Sequence, residues 1–222
     1  MGFNDALNKT FLGHANPGNA RQMTAYMKDK FKFFGIKAEQ RRSLMRSVAD
    51  QHRLEIRDTI RTLAFDLYDQ PQREMHMVAM ELFERQLRRS YVKEDILLIE
   101  KLITNNSWWD SVDFIAKNIL GKYLQMYPAE IDKVVKKFSS LDNIWLQRST
   151  IIFQLGYKEH TDKELLFKQC MIHRESKEFF IQKAIGWALR EYGTYNPTEV
   201  LQFATSSDLK PLSKREAIRK LI

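Results

Sequence analysis

The sequence predicts an all-α protein built as a solenoid of HEAT-like helical repeats, and three observations predict it. No stretch alternates apolar and polar residues for more than a few positions, so no strand is expected. The five prolines and eight glycines mostly fall between runs of helical periodicity. Three segments that each follow a polar break and open a helix recur at a near-constant interval. They read N-S-W-W-D-S-V-D-F-I, D-N-I-W-L-Q-R-S-T-I-I and K-E-F-F-I-Q-K-A-I, with 36 positions from Trp109 to Trp145 and 35 from Trp145 to Phe180. Two helices in each unit of that length describe a helical array. An irregular bundle with a coincidental spacing is the competing reading. One continuous domain over residues 1–222 is expected.

The elements follow in order. A first helix, about Asn4 to His14, ends before Asn16-Pro17-Gly18, and a second runs through Tyr26 to Phe33 and stops before Gly35. Ala38 to Gln51 and Glu55 to Asp69 are the next two. Gln70-Pro71 breaks the chain, after which Arg73 to Arg88 and Glu94 to Ile103 continue the series. Ser107, with Asp110 three residues on, resembles a capping box that opens the Trp-Trp helix, which Gly121 interrupts or ends. Tyr127-Pro128 starts a helix through Phe138, and Asp142 is placed to cap one that carries Trp145 and Arg148. Thr161 or Asp162 opens a helix to about His173, and Ser176 and Glu178 introduce one that carries Trp187 and Arg190. Asn196-Pro197 and Pro211 break the remainder, with a last apolar and basic run from Ser213 to Ile222.

With 222 residues and 44% hydrophobic content, the chain buries a sizeable core without disulfides or metal. Its single cysteine, Cys170, has no partner for a disulfide or a Cys-rich zinc site. A reducing, cytoplasmic compartment is expected, as are a soluble, unprocessed monomer and no cofactor. No run approaches the roughly 20 apolar residues of a membrane-spanning helix. Formal net charge is +8. From Lys133 onward there are 16 Lys/Arg against 10 Asp/Glu, so positive charge collects in the C-terminal part. A basic solvated surface explains this, as does a polyanionic partner, nucleic acid first.

On the Trp-Trp helix, Trp109 and Asp113 lie four apart on one face, where an aromatic plane beside a carboxylate suits a flat cation. If the repeat holds, equivalent helices stack and Trp109, Asp113, Arg148 and Trp187 converge on one groove. Each also has an ordinary reading: a tryptophan on an amphipathic helix packs in the core, and Arg148 pairs with Asp113 as a structural ion pair. Trp108 and Trp145 are assigned to the core. Lys183 and Arg190 flank Trp187 on its own face, an arrangement suited to a phosphate backbone. Phosphate-cradling loops, H-E-x-x-H and nucleophile elbows are absent, and the five histidines show no ligand spacing.

S-W-W-D-S-V-D, D-N-I-W-L-Q-R, F-F-I-Q-K-A-I-G-W-A-L-R-E-Y and P-L-S-K-R-E-A-I carry a resemblance over most of the chain. So do Y-M-K-D-K-F near Tyr26 and F-G-I-K-A-E-Q-R-R near Gly35. Together they resemble the bacterial DNA alkylation repair family and its alkylpurine DNA glycosylases. The resemblance implies a HEAT-like solenoid whose concave basic face cradles duplex DNA. It implies hydrolysis of the N-glycosidic bond of N3- and N7-alkylated purines, 3-methyladenine and 7-methylguanine among them. It also implies a Trp-Asp-Arg-Trp set on the concave face, matched by Trp109, Asp113, Arg148 and Trp187, with Tyr26, near a family tyrosine, expected to bind DNA. The chain ends within an apparent helix somewhat earlier than the resemblance leads one to expect, so a final capping segment is expected to be short or missing.

An alkylated purine is already cationic and departs as a neutral base, so no general acid is required. Asp113 is then expected to stabilise the positive charge that develops on the deoxyribose. Trp109 and Trp187 are expected to hold sugar and backbone, and Arg148 to clamp a phosphate with help from Lys183 and Arg190. The rival readings are a non-catalytic HEAT protein that binds distorted or branched DNA and a protein-binding scaffold. A carboxylate in the groove is of no use to a pure phosphate binder.

Overall fold

The structure, a computed structural model, describes residues 1–221 and is helical throughout, apart from one isolated bridge between Lys32 and Gln72 among the described residues. It divides into two compact units, Met1–Ser90 and Tyr91–Ile222.

The first unit holds α1 (Phe3–Gly13), α2 (Pro17–Tyr26), α3 (Ala38–Gln51), α4 (Arg53–Tyr68) and α5 (Arg73–Leu87). α1 buries Phe3, Leu7 and Phe11, one residue per turn on a single stripe. α2 starts where Pro17 and the Asn16 cap place it, the Asn16 side chain accepting from Asn19 N at 2.9 Å. It ends at Tyr26 and does not continue to Phe33 as expected. Lys28 and Asp29 both take positive φ, 57° and 58°, which stops a right-handed helix. The following segment is irregular and is held by Glu74, whose buried carboxylate accepts from the backbone N–H groups of Phe34, Gly35 and Ile36.

The second unit holds α6 (Asp95–Thr104), α7 (Trp109–Phe114), a π-helical segment (Ile115–Leu120), α8 (Gly121–Met126), α9 (Ile131–Ser140), α10 (Ile144–Ile152), α11 (Lys163–Ile172), α12 (Phe179–Tyr192), α13 (Pro197–Ser206) and α14 (Pro211–Ile218). Its repeat is visible in the hydrogen bonds. Tyr127 Oη donates to the Tyr91 carbonyl and Tyr157 Oη to the Gly121 carbonyl, each across 36 residues. Lys137 meets Glu100 across 37, Lys163 meets Glu199 across 36, and Lys210 meets Glu175 across 35. Equivalent positions of successive helix pairs therefore lie side by side, as in a helical repeat.

Several boundaries differ from expectation for local reasons. α7 begins at Trp109, but Ser107 does not cap it: its hydroxyl donates to the Ile103 carbonyl, and Ser111 reaches back to Trp108 instead. Gly121 does not end the helix. The path runs on to Met126, and a Cβ at 121 would sit 2.5 Å from the Phe153 carbonyl oxygen, so the glycine permits close approach of two segments. Asn143, not Asp142, caps α10 by accepting from Trp145 N and Leu146 N. Asp162 caps α11 as expected. Pro197 opens α13 at N1, where its missing N–H is harmless, so the residue read as a break starts a helix. α14 covers Pro211–Ile218, and the expected run to the terminus reaches Ile222, outside the described residues.

The core of the second unit is built on α12, where Ile181, Ile185 and Leu189 pack with Ile151, Ile152, Leu166, Cys170 and Val200. Cys170 is buried there, and burial pushes its thiol up, away from reactivity. Among the described residues no helix is long and apolar enough to cross a membrane.

Candidate active site

α7, α10 and α12 bring together the residues singled out in the sequence. Trp109 is the first residue of α7 and Asp113 lies one turn further on the same face. Arg148 projects from α10, which packs against both α7 and α12. Its Nε donates to Asp113 Oδ1 at 2.7 Å and its Nη2 to Oδ2 at 2.9 Å, a fork that matches the carboxylate. Nη1 donates to the main-chain carbonyl of Phe180, in the first turn of α12. The Phe180 carbonyl, Arg148 and Asp113 thus form one chain across three helices.

This differs from the expectation that Arg148 grips a phosphate. Arg148 is 4% exposed and donates from Nε, Nη1 and Nη2 within the protein. Its role in this geometry is to fix and charge-balance Asp113. Two opposing influences act on that carboxyl. Burial raises its pKa, and the Arg148 hydrogen bonds and charge pull it back down, with Asp110 adding a smaller upward push. The direction is upward. Asp113 keeps 19% of its side-chain surface open, so the carboxylate is held rigidly yet remains reachable.

The starts of the same three helices also meet through an aromatic cluster. Trp108, Trp145 and Phe180 meet pairwise with ring centroids 5.7, 5.3 and 5.1 Å apart. In the first repeated segment it is Trp108, the neighbour of the Trp109 from which the spacing was counted, that meets Trp145 and Phe180. Trp108 and Trp145 are half-buried in this cluster, a correction to their assignment to the core. The cluster fixes the start of α12 and with it the Phe180 carbonyl that Arg148 needs.

Trp187 lies two turns beyond Phe180 on α12, half-buried, with part of its ring against the core. The two cations that flank it are engaged elsewhere than expected. Lys183 Nζ meets Glu216 Oε1 at 3.0 Å, and Arg190 Nη1 donates to both Oε2 and the main-chain oxygen of Glu216 at 2.8 Å. Arg219 approaches the same carboxylate at 3.7 Å. Glu216 on α14 is therefore the counter-charge for three cations, and their proximity lowers its pKa, Lys183 first. Lys183 retains 37% side-chain exposure and Arg190 16%. Tyr26 belongs to the first unit and is 69% exposed at the end of α2.

Sequence reasoning missed Glu216, the Phe180 carbonyl and the Trp108–Trp145–Phe180 contact. A main-chain carbonyl leaves no residue signature, and Glu216 lies 26 residues beyond Arg190 in the chain. Among the described residues no group of three or more His, Cys, Asp or Glu side chains is arranged to hold a metal ion.

Comparison with known proteins places the helical fold in a family. The family described as DNA alkylation repair enzyme matches residues 7–221. A solved structure described as a predicted DNA alkylation repair enzyme from Enterococcus faecalis shares 32% identity, covers 93% of this chain and 96% of its own, and superposes with a TM-score of 0.85. No curated protein matches the sequence. With a match over nearly its whole length, the chain belongs to the DNA alkylation repair enzyme family.

Proposed function

We propose that the protein is a DNA N-glycosylase that hydrolyses the N-glycosidic bond of N3- and N7-alkylated purines in duplex DNA. The observation that carries this reading is Asp113: a partly exposed carboxylate pinned in one orientation by a buried arginine. Enzymes stabilise developing charge best with groups that need no reorganisation at the moment of reaction. A carboxylate held by two hydrogen bonds is such a group, and its charge is opposite in sign to a deoxyribose that is losing its base.

The chemistry needs little else. As the C1′–N bond breaks, its electron pair stays on the departing nitrogen and cancels the charge that alkylation placed on the purine. The base leaves neutral, without protonation. Water adds to C1′, loses its proton to solvent, and completes the hydrolysis. Asp113 stabilises the oxocarbenium-like sugar and orients the water. Trp109, on the same face of α7, and Trp187 offer ring faces to the cationic nucleotide and its sugar. Arg148 opposes the upward pull that burial exerts on the Asp113 carboxyl. Lys183 and Arg190 meet the phosphate backbone once their hold on Glu216 is shared with DNA.

The test is release of free 7-methylguanine and 3-methyladenine from methylated duplex DNA, measured by chromatography, for wild type and Asp113→Asn. Release that depends on Asp113 supports the glycosylase. Absence of release from the wild type, with salt-sensitive DNA binding intact, replaces it with a non-catalytic module for distorted or branched DNA.

A further inference from the structure

α9 and α11 supply no residue to the Asp113 site. Between them runs an open groove of about 470 Å³, lined by Val135, Ser139, Leu165, Gln169 and Ile172, with Asp132 and Ser140 at its ends and Lys136 and Lys168 on its rims. That volume accommodates several large apolar side chains, and it lies within the range of about 300–1,000 Å³ typical of binding pockets. The floor is stiff. Gln169 is buried, and Ser139 Oγ donates to Gln169 Oε1 at 3.0 Å and lies 2.7 Å from His173 Nε2, which ties the two helices together beneath the opening. Apolar surface continues onto the rim of α11, where Ile172 is 53% and Met171 36% exposed.

The charges along this groove are mostly positive. Elsewhere on α9, Lys133 pairs with Glu130 and Lys137 with Glu100. Lys136 on α9 and Lys168 on α11 both line the groove and form no ion pair among the described residues, and the one carboxylate among its lining residues is Asp132. A mostly apolar groove that carries two lysines and one aspartate complements an occupant that is apolar on one side and acidic on the other. A nucleic-acid backbone offers no apolar side to fill the floor. A second copy of this chain, with net charge +8, brings the wrong sign.

We propose that the α9–α11 groove docks an acidic amphipathic helix of a partner protein, with two or three apolar anchors at helical spacing seated on Val135, Leu165 and Ile172 and carboxylates reaching Lys136 and Lys168. Because none of these residues belongs to the Asp113 site, docking there leaves the enzyme free to engage DNA. The groove thus serves recruitment, and the inference stands whether or not the chain proves to be a glycosylase.

The probe is a fluorescein-labelled 14-residue peptide with leucines at the first, fourth, fifth and eighth positions and glutamates elsewhere, paired with a twin in which lysines replace the glutamates. Binding to the full chain is followed by anisotropy. The acidic peptide is expected to bind and the basic twin not to. Lys136→Glu/Lys168→Glu is expected to weaken the acidic peptide at least about tenfold, since both charge contacts become repulsive. Ile172→Glu is expected to do the same. All these positions are exposed, and thermal melting of each variant confirms that it folds. Equal binding of the two peptides, or undiminished binding by the charge variant, overturns the proposal. So does a matching fall in DNA affinity in that variant, which makes the rim a DNA contact. Concentration-dependent self-association abolished by Ile172→Glu assigns the groove to a second copy and overturns it too.

Discussion

Arg148 directs its guanidinium at Asp113 and at the carbonyl of Phe180, and so the downward pull on the Asp113 pKa comes from a residue 35 positions away in the chain. Burial alone raises the pKa of this carboxyl and Arg148 opposes it. Activity that needs ionised Asp113 falls as pH drops through its folded-state pKa. Replacing Arg148 with Met removes the opposing influence and leaves the burial, so the acid limb of kcat/KM for 7-methylguanine release moves to higher pH. The measurement is a pH–rate profile of both proteins. A limb that stays in place, with activity merely scaled down, would show that Arg148 does not set the ionisation of Asp113.

The same linkage has a signature in stability. In Arg148→Ala, Asp113 is left buried without its partner, a situation that costs about 3–5 kcal/mol when a buried pair is broken from one side. The cost applies to the carboxylate, not to the protonated acid. Above the raised folded-state pKa the variant carries the full penalty, and as pH falls through that value the acid takes up a proton and the penalty is relieved. The difference in Tm between wild type and variant is therefore expected to narrow on acidification. A constant difference from neutral to acidic pH would assign the loss to packing around the missing side chain.

Much of this site was legible because a repeat converts sequence spacing into proximity. Asp113 and Arg148 are 35 apart, one repeat length, and a structural ion pair between them was one of the readings their spacing allowed. Trp108, Trp145 and Phe180 open equivalent segments and touch. What failed were statements about where a side chain is directed. Lys183 and Arg190 share a helix face with Trp187, and helix geometry alone suggested a free cationic rim. Glu216, from a helix far along the chain, claims both. Caps failed for a related reason. Ser107, Asp142 and Asn143 are all competent cap residues, and the choice among them is made by the upstream helix end, which in the case of Ser107 takes its hydroxyl for the Ile103 carbonyl.

Close packing of α12 on α14 depends on Gly186, next to Trp187. A Cβ there would stand 2.4 Å from Glu216 Cβ and 3.0 Å from the Ser213 carbonyl oxygen, so α14 must shift to admit even alanine. Gly186→Ala is expected to cost about 1–3 kcal/mol, the usual range for overpacking, although alanine is the better helix former. Denaturant unfolding checks it. Stabilisation by alanine would mean that the two helices are free to separate.

Glu216 holds Lys183 and Arg190, the two cations proposed to meet DNA, so one substitution probes both stability and DNA affinity. Its pKa is lowered by Lys183, Arg190 and Arg219, so its contribution to stability is present above the ordinary glutamate range and is lost as pH falls through the depressed folded value. Glu216→Gln removes that contribution, and its Tm is expected to vary less than that of wild type over the acid range. At neutral pH it also leaves Lys183 and Arg190 without their counter-charge, while Arg190 keeps its bond to the Glu216 main-chain oxygen. If these two cations meet phosphates in the complex, the substitution strengthens DNA binding at low salt. It also steepens the dependence of log K on log salt by up to about 0.9 for each additional phosphate neutralised. Fluorescence titration with a short duplex at several salt concentrations gives the slope. A slope equal to that of wild type would confine Lys183 and Arg190 to the α12–α14 interface and leave the grip on DNA to other residues.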